Sequence, residues 1–182
     1  GRVIMKFGFA CKYMYPDQTL KKRELQEKEA PYKVRTTTLK WLNNQTKDVA
    51  EARLWDIMRH NVDAFYNLVG YVSTLPNELR MVRLGSDVLP LYTQPDWSYF
   101  WQKADVQGYC AKKFILVGDL ARENGVRLSM HPGQFTVLAS DNDAIVEKSI
   151  EEFEYHVDVA RWMGYGKRFQ DFKINVHIAG RR

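Results

Sequence analysis

The sequence predicts an α/β fold built on a parallel sheet, either an open doubly wound sheet or a (β/α)8 barrel. Three observations lead there. Short apolar runs of strand length alternate with longer segments of helical periodicity, the order expected of βαβ units. The four strand candidates finish at Phe9 to Cys11, at Ser86-Asp87, at His131 and at His177, so polar groups recur at C-terminal strand ends. Neither a glycine-rich dinucleotide fingerprint nor a phosphate loop is present, which counts against an open nucleotide-binding sheet. In a barrel the C-terminal ends share one face, and that face carries the chemistry.

Each element has its own signal. RVIMKFGFAC, at residues 2–11, reads as a buried strand. After a polar insertion, DVAEARLWDIMRHNVDAFYNLVGYV places Leu54, Ile57, Met58, Phe65, Leu68, Val69 and Val72 on one helical stripe. LRMVRLG is the second strand; the helical run after it repeats Cys110, Phe114, Val117 and Ala121 at helical spacing and closes at Asn124-Gly125. VRLSM is the third strand. The third helix, IVEKSIEEFEYHVDVARWMG, carries Val146, Ile150, Phe153, Val157 and Ala160 on one face and stops at Gly164. KINVHI is the fourth strand, and residues 1–182 form one domain of four strands and three helices.

Composition narrows the class. With 182 residues and 45% hydrophobic content the chain can bury a sizeable core, which excludes a disordered tail. The net charge of +5 suits a polyanionic partner without proving one. Cys11 and Cys110 lack metal-type spacing, and neither a signal peptide nor a long apolar span is evident, so both thiols are expected to be reduced in an aqueous compartment. In a prokaryotic or viral source that is the cytoplasm, and in a eukaryotic one the nucleus or mitochondrion.

The strand tips each admit two readings. Pro132 disfavours helical angles at His131 and Gly133 accepts angles that other residues resist, so MHPGQF leaves its strand abruptly and turns Gln134 and Phe135 outward. A histidine in an apolar strand is ordinarily a hydrogen-bonded core residue, but His131 and His177 occupy matching tips, which suits metal ligation. Asp87 in RLGSDVLP is either a turn cap or a carboxylate aimed at a cation. His60 and His156 fall within helices, where packing or surface roles are expected.

At these residues the sequence resembles the UV damage endonucleases, metal-dependent DNA repair enzymes with a TIM-barrel fold. LRMVRLGSDVLPLYT, VRLSMHPGQFTVLASD and KINVHIAGR match segments of that family in order and spacing, and KFGFAC is similar to its first strand. The resemblance implies a (β/α)8 barrel of which about the first four strand–helix units are present. It implies hydrolysis of the phosphodiester 5′ of ultraviolet photoproducts in double-stranded DNA, with a divalent metal cluster, manganese in first place and zinc or magnesium otherwise. By motif, His131, His177 and Asp87 would be metal ligands and catalytic residues, and the attacking water would be activated at the metals rather than by a protein base. Gln134 and Phe135 would enter the duplex at the lesion, with Phe9 beside them. Some relatives have tyrosine at the positions of Phe135 and Phe9. Phe135 as a plug over the barrel mouth is the alternative.

The segment KKRELQEKEAPYKVRTTTLKW, between the first strand and the first helix, is expected on the mouth side, where its cations would meet phosphates or simply be solvated. A complete barrel takes about 250 residues and eight units, so further ligands are expected in a half that is absent here, with no obligate protein partner unless another chain completes the barrel. Two other classes stay open: a metal-dependent sugar isomerase or epimerase on the same fold, and a truncated, non-catalytic DNA-binding remnant.

Overall fold

The computed structural model describes residues 13–131, 143–165 and 172–174. α1 (Lys22–Glu29) is a short, highly charged helix, and a 3-10 turn over Ala30–Tyr32 carries Pro31 at its start, where the missing N–H costs nothing. α2 (Leu39–Asn43) is capped by the Thr38 hydroxyl, which accepts from Trp41 N–H at 3.1 Å. α3 (Lys47–Val72) starts at Thr46 in the same way, accepting from Val49 N–H at 3.3 Å. The stripe read from the sequence, Leu54 through Val72, is buried throughout.

β1 (Met81–Gly85) follows, then a 3-10 turn (Ser86–Val88), α4 (Ser98–Trp101), α5 (Ala104–Glu123), β2 (Arg127–His131), α6 (Asp143–Trp162) and β3 (Phe172–Ile174). The three strands lie side by side in the order β1-β2-β3, all parallel. β1 and β2 are aligned from Met81↔Arg127 to Gly85↔His131, and β3 joins with Leu128↔Phe172 to Met130↔Ile174. The expected first strand, residues 2–11, lies outside the described residues. The barrel type expected with four units is therefore seen as three adjacent parallel strands with their helices.

Alternation along the strands separates two faces. Val82, Leu84, Leu128 and Met130 are buried, and α3 and α5 pack on the sheet. Met81, Arg83 and Gly85 take the other face and stay partly exposed. Cys110, Phe114, Val117 and Ala121 of α5 are all buried, as their spacing predicts. Cys110 sits 3.6 Å from the Met58 sulfur, and burial pushes its thiol up to about 12, so it is a packing residue and not a reactive one.

Both predicted helix stops are real, and by the same device. Gly125 (φ 64°) and Gly164 (φ 92°) adopt left-handed angles, so Val126 N–H reaches Ala121 C=O at 2.8 Å and Tyr165 N–H reaches Ala160 C=O at 2.9 Å. These are Schellman closures of α5 and α6.

Two expectations are corrected. On α6, Ile150 and Phe153 are 43% and 38% exposed and Val157 is half-buried, whereas Tyr155, His156 and Val159, with Met163 just past the helix end, are buried, and of the expected face Ala160 joins them. At 100° per residue these sets lie on nearly opposite sides of the helix. The deciding contacts are aromatic: Tyr155 stacks on Tyr92 at 4.6 Å, and Trp162 stacks on Phe114 at 5.7 Å. Aromatic rings carry large apolar surfaces, and a hydropathy stripe discounts those of tyrosine and tryptophan.

The basic segment is only partly at the mouth. Tyr13 stacks on Tyr32 at 3.9 Å, Tyr32 meets Tyr71 edge-on, and Asn67 donates to Pro31 C=O at 2.8 Å, so the 30–32 turn packs at the C-terminal end of α3. That end precedes β1 and lies away from the C-terminal strand tips. From there the chain climbs α3, past His60 at Lys33 C=O (2.7 Å), and only Thr36 and Thr37 reach the cleft beside the strand tips.

Candidate functional site

β1 ends in Gly85, and the 3-10 turn after it holds Asp87 exposed at the strand tip. The Asp87 carboxylate folds back over the strand end: Oδ1 lies 2.5 Å from where a Cβ on residue 85 would stand. By strand alternation that Cβ would point to the face turned away from α3 and α5. Gly85 is the register partner of His131, the last residue of β2. Neighbouring strands are about 4.8 Å apart, so the carboxylate stands over one strand tip and residue 131 closes the adjacent one.

Asp87 caps no backbone N–H and meets no cation among the described residues, which disfavours the turn-cap reading. Other side chains hold the turn. Tyr155 of α6 places its hydroxyl between the turn's two ends, donating to Ser86 C=O at 2.6 Å and accepting from Leu89 N–H at 3.1 Å. Asn61, fully buried in the middle of α3, donates to Val88 C=O at 2.7 Å and to Arg35 C=O at 2.9 Å while accepting from Arg35 N–H at 2.6 Å. One amide thus ties the Asp87 turn to the segment that carries Thr36 and Thr37. Burial raises the Tyr155 hydroxyl well above its ordinary range, and the nearby Glu152 and Asp87 carboxylates add to that, so it remains a protonated donor.

The turn forms one wall of an open cleft of about 360 Å³, with Thr36, Thr37, Thr93, Gln94 and Glu152 among the facing residues. Glu152 accepts from the Thr93 hydroxyl. Leu91, on the same wall, has φ 61°, a left-handed angle that costs a non-glycine residue on the order of 1 kcal/mol or more. His156, one residue from Tyr155, is fully buried with Nδ1 2.6 Å from Glu152 C=O, and burial lowers its pKa. It packs, as does the half-buried His60.

Of the expected site residues, the structure places Asp87 in full and His131 by its backbone at the β2 tip. His177, Gln134, Phe135 and Phe9 lie outside the described residues. Among the described residues no group of three or more His, Cys, Asp or Glu side chains is arranged to hold a metal. Sequence reasoning missed Asn61, Tyr155 and the space at Gly85. Asn61 had a signal, an amide inside an otherwise apolar stripe, because such a group must find partners.

A family model described as UV-endonuclease UvdE matches residues 5–182. The chain belongs to that family. Among its relatives, the UV DNA damage endonuclease of Bacillus cereus (strain Q1) is 28% identical over 146 residues, covering 80% of this chain and 43% of that protein. That of Clostridium perfringens (strain 13 / Type A) is 29% identical over 134 residues, covering 74% of this chain and 30% of the other. The solved structure titled "Crystal Structure of SacUVDE" superposes with a TM-score of 0.63 at 26% identity, over 80% of this chain and 44% of that one. The chain thus spans less than half the length of these relatives. No helix among the described residues is long and apolar enough to cross a membrane.

Proposed function

We propose that this UvdE-family chain contributes the first half of a (β/α)8 endonuclease that hydrolyses the phosphodiester 5′ of ultraviolet photoproducts and related lesions in double-stranded DNA. The observation that carries the reading is the Asp87 carboxylate, held over the β1 tip in register with His131 and engaged by no described side chain. A carboxylate beside a histidine-bearing tip is an oxygen and nitrogen donor set that fits manganese, and also zinc or magnesium. Asp87, His131 and His177 would hold the metal, together with donors that the longer relatives' additional length would supply. When bound, divalent cations neutralise a phosphate in transit and lower the pKa of water.

The chain's own residues then have distinct tasks. Asp87 and the histidines fix where the scissile phosphate sits. Gln134 and Phe135, two and three residues after the proline turn, enter the duplex, the ring replacing lost base stacking and the amide bonding an exposed base. By the family resemblance Phe9 would contact the lesion beside them, with no hydroxyl to donate. Thr36 and Thr37 offer hydroxyls to the DNA backbone at the cleft, a contact that carries no sequence information.

The test is metal-dependent nicking by the full-length gene product on a photoproduct-containing duplex, with manganese content measured in parallel. His131→Ala and His177→Ala are expected to lose at least tenfold in both metal content and nicking while far-UV circular dichroism is unchanged. Undiminished metal and nicking in both variants would make the histidines structural and overturn the assignment.

A further inference from the structure

The Asp87 turn is held from a helix that belongs to a different strand–helix unit. Tyr155 reaches it from α6, which follows the strand ending in His131, while Asp87 follows β1. Its hydroxyl spans Ser86 C=O (2.6 Å) and Leu89 N–H (3.1 Å), the groups bracketing Asp87 and Val88. The side chain is 3% exposed, and its ring is locked by the stack on Tyr92 at 4.6 Å. On the opposite side Asn61 fixes Val88 C=O at 2.7 Å. The turn therefore has few ways to move, although Asp87 itself is exposed.

We infer that Tyr155 is a positioning residue of the proposed endonuclease: it couples α6 to the Asp87 turn and so sets the carboxylate against the His131 tip. The inference rests on the metal-dependent reading above. The phenol also gives the buried Leu89 N–H its partner, so a purely structural role predicts lost stability without lost metal affinity. Phenylalanine would keep the stack and the volume while releasing both ends of the turn. Ligands held by such supporting hydrogen bonds lose affinity for metal when the support is removed, commonly by 10–100-fold.

The experiment uses the full-length gene product and three variants. Manganese affinity is read from the electron paramagnetic resonance of the free ion during titration, and kcat and KM are read on damaged duplex. Tyr155→Phe is expected to weaken manganese binding roughly 10–100-fold and lower kcat, with KM for the duplex unchanged. Asn61→Ala, which frees the same turn from its other side, is expected to act in the same direction, and it stands in should Tyr155→Phe fold poorly. Trp97→Phe, which removes a part-buried hydrogen bond to Asn43 (2.9 Å) that does not involve the turn, is expected to match wild type. Wild-type manganese affinity in Tyr155→Phe and Asn61→Ala overturns the inference, as does an equal loss in Trp97→Phe. A wild-type protein that neither binds manganese nor nicks overturns the functional reading instead, whatever the variants do.

Discussion

Gly85 is small because Asp87 uses the space that a side chain there would fill. A methyl at residue 85 would stand 2.5 Å from Asp87 Oδ1, too close to coexist, but the obstructing atom ends a flexible side chain and can swing away. Gly85→Ala is therefore expected to leave the melting temperature within a few degrees of wild type while weakening manganese binding about tenfold or more. Unchanged affinity would show that the observed carboxylate position is not the one that binds. His156 makes a different prediction. Burial lowers its pKa from 6.5, so between the two values the unfolded chain takes up a proton that the folded chain refuses. Its contribution to stability is whole above about pH 6.5 and is lost as pH falls through that value toward the depressed one. Thermal melts from pH 8 to pH 5.5 are expected to fall, and His156→Gln to fall less steeply; parallel slopes would assign the acid loss to other groups.

At the scale of elements, α5 and α6 approach as closely as a glycine allows. A Cβ on Gly118 would lie 1.9 Å from Met163 C=O, a backbone atom fixed by the Schellman closure of α6, so neither side can yield cheaply. Gly118→Ala gains helix propensity yet is expected to lose about 1–3 kcal/mol net through overpacking. Gly108, on the same helix with nothing within 4 Å of its Cβ position, is the contrast: Gly108→Ala is expected to gain about 1 kcal/mol. Urea midpoints of the two variants decide it, and a shift of the same sign in both would mean that the helices separate without cost. The same helices show what the sequence makes legible. The α3 and α5 stripes are correct because their members, from Leu54 and Met58 to Cys110 and Phe114, are apolar residues whose hydropathy and location agree. The α6 stripe fails in part because Tyr155 and Trp162, which a hydropathy pattern ranks as indifferent, stack on Tyr92 and Phe114, which only the fold brings near.

Across the whole molecule, strand order and helix stops were readable locally, because parallel βαβ connection and left-handed glycine closures are set by neighbouring residues. The site was readable only in part. Asp87 announced itself as a polar residue at a strand tip, whereas its supports lie 26 residues back at Asn61 and 68 ahead at Tyr155, distances over which periodicity says nothing. Gln134 and Phe135 lie outside the described residues, and their proposed damage-probing role rests on the MHPGQF motif and the family resemblance alone. If the ring replaces a lost base stack, Phe135→Ala in the full-length gene product is expected to weaken binding to photoproduct-containing duplex by about 1–3 kcal/mol and to leave undamaged duplex nearly unaffected. Gln134→Ala is expected to cost less, about 0.5–1.5 kcal/mol, because one hydrogen bond to an exposed base replaces one to water. Manganese content should be the same in both variants. Affinities for damaged and undamaged duplex are compared at one fixed salt concentration, since phosphate contacts alone would move both together. Equal losses on the two DNAs would reassign the pair to backbone binding, and no loss on either would leave Phe135 as a hydrophobic plug over the mouth of the barrel.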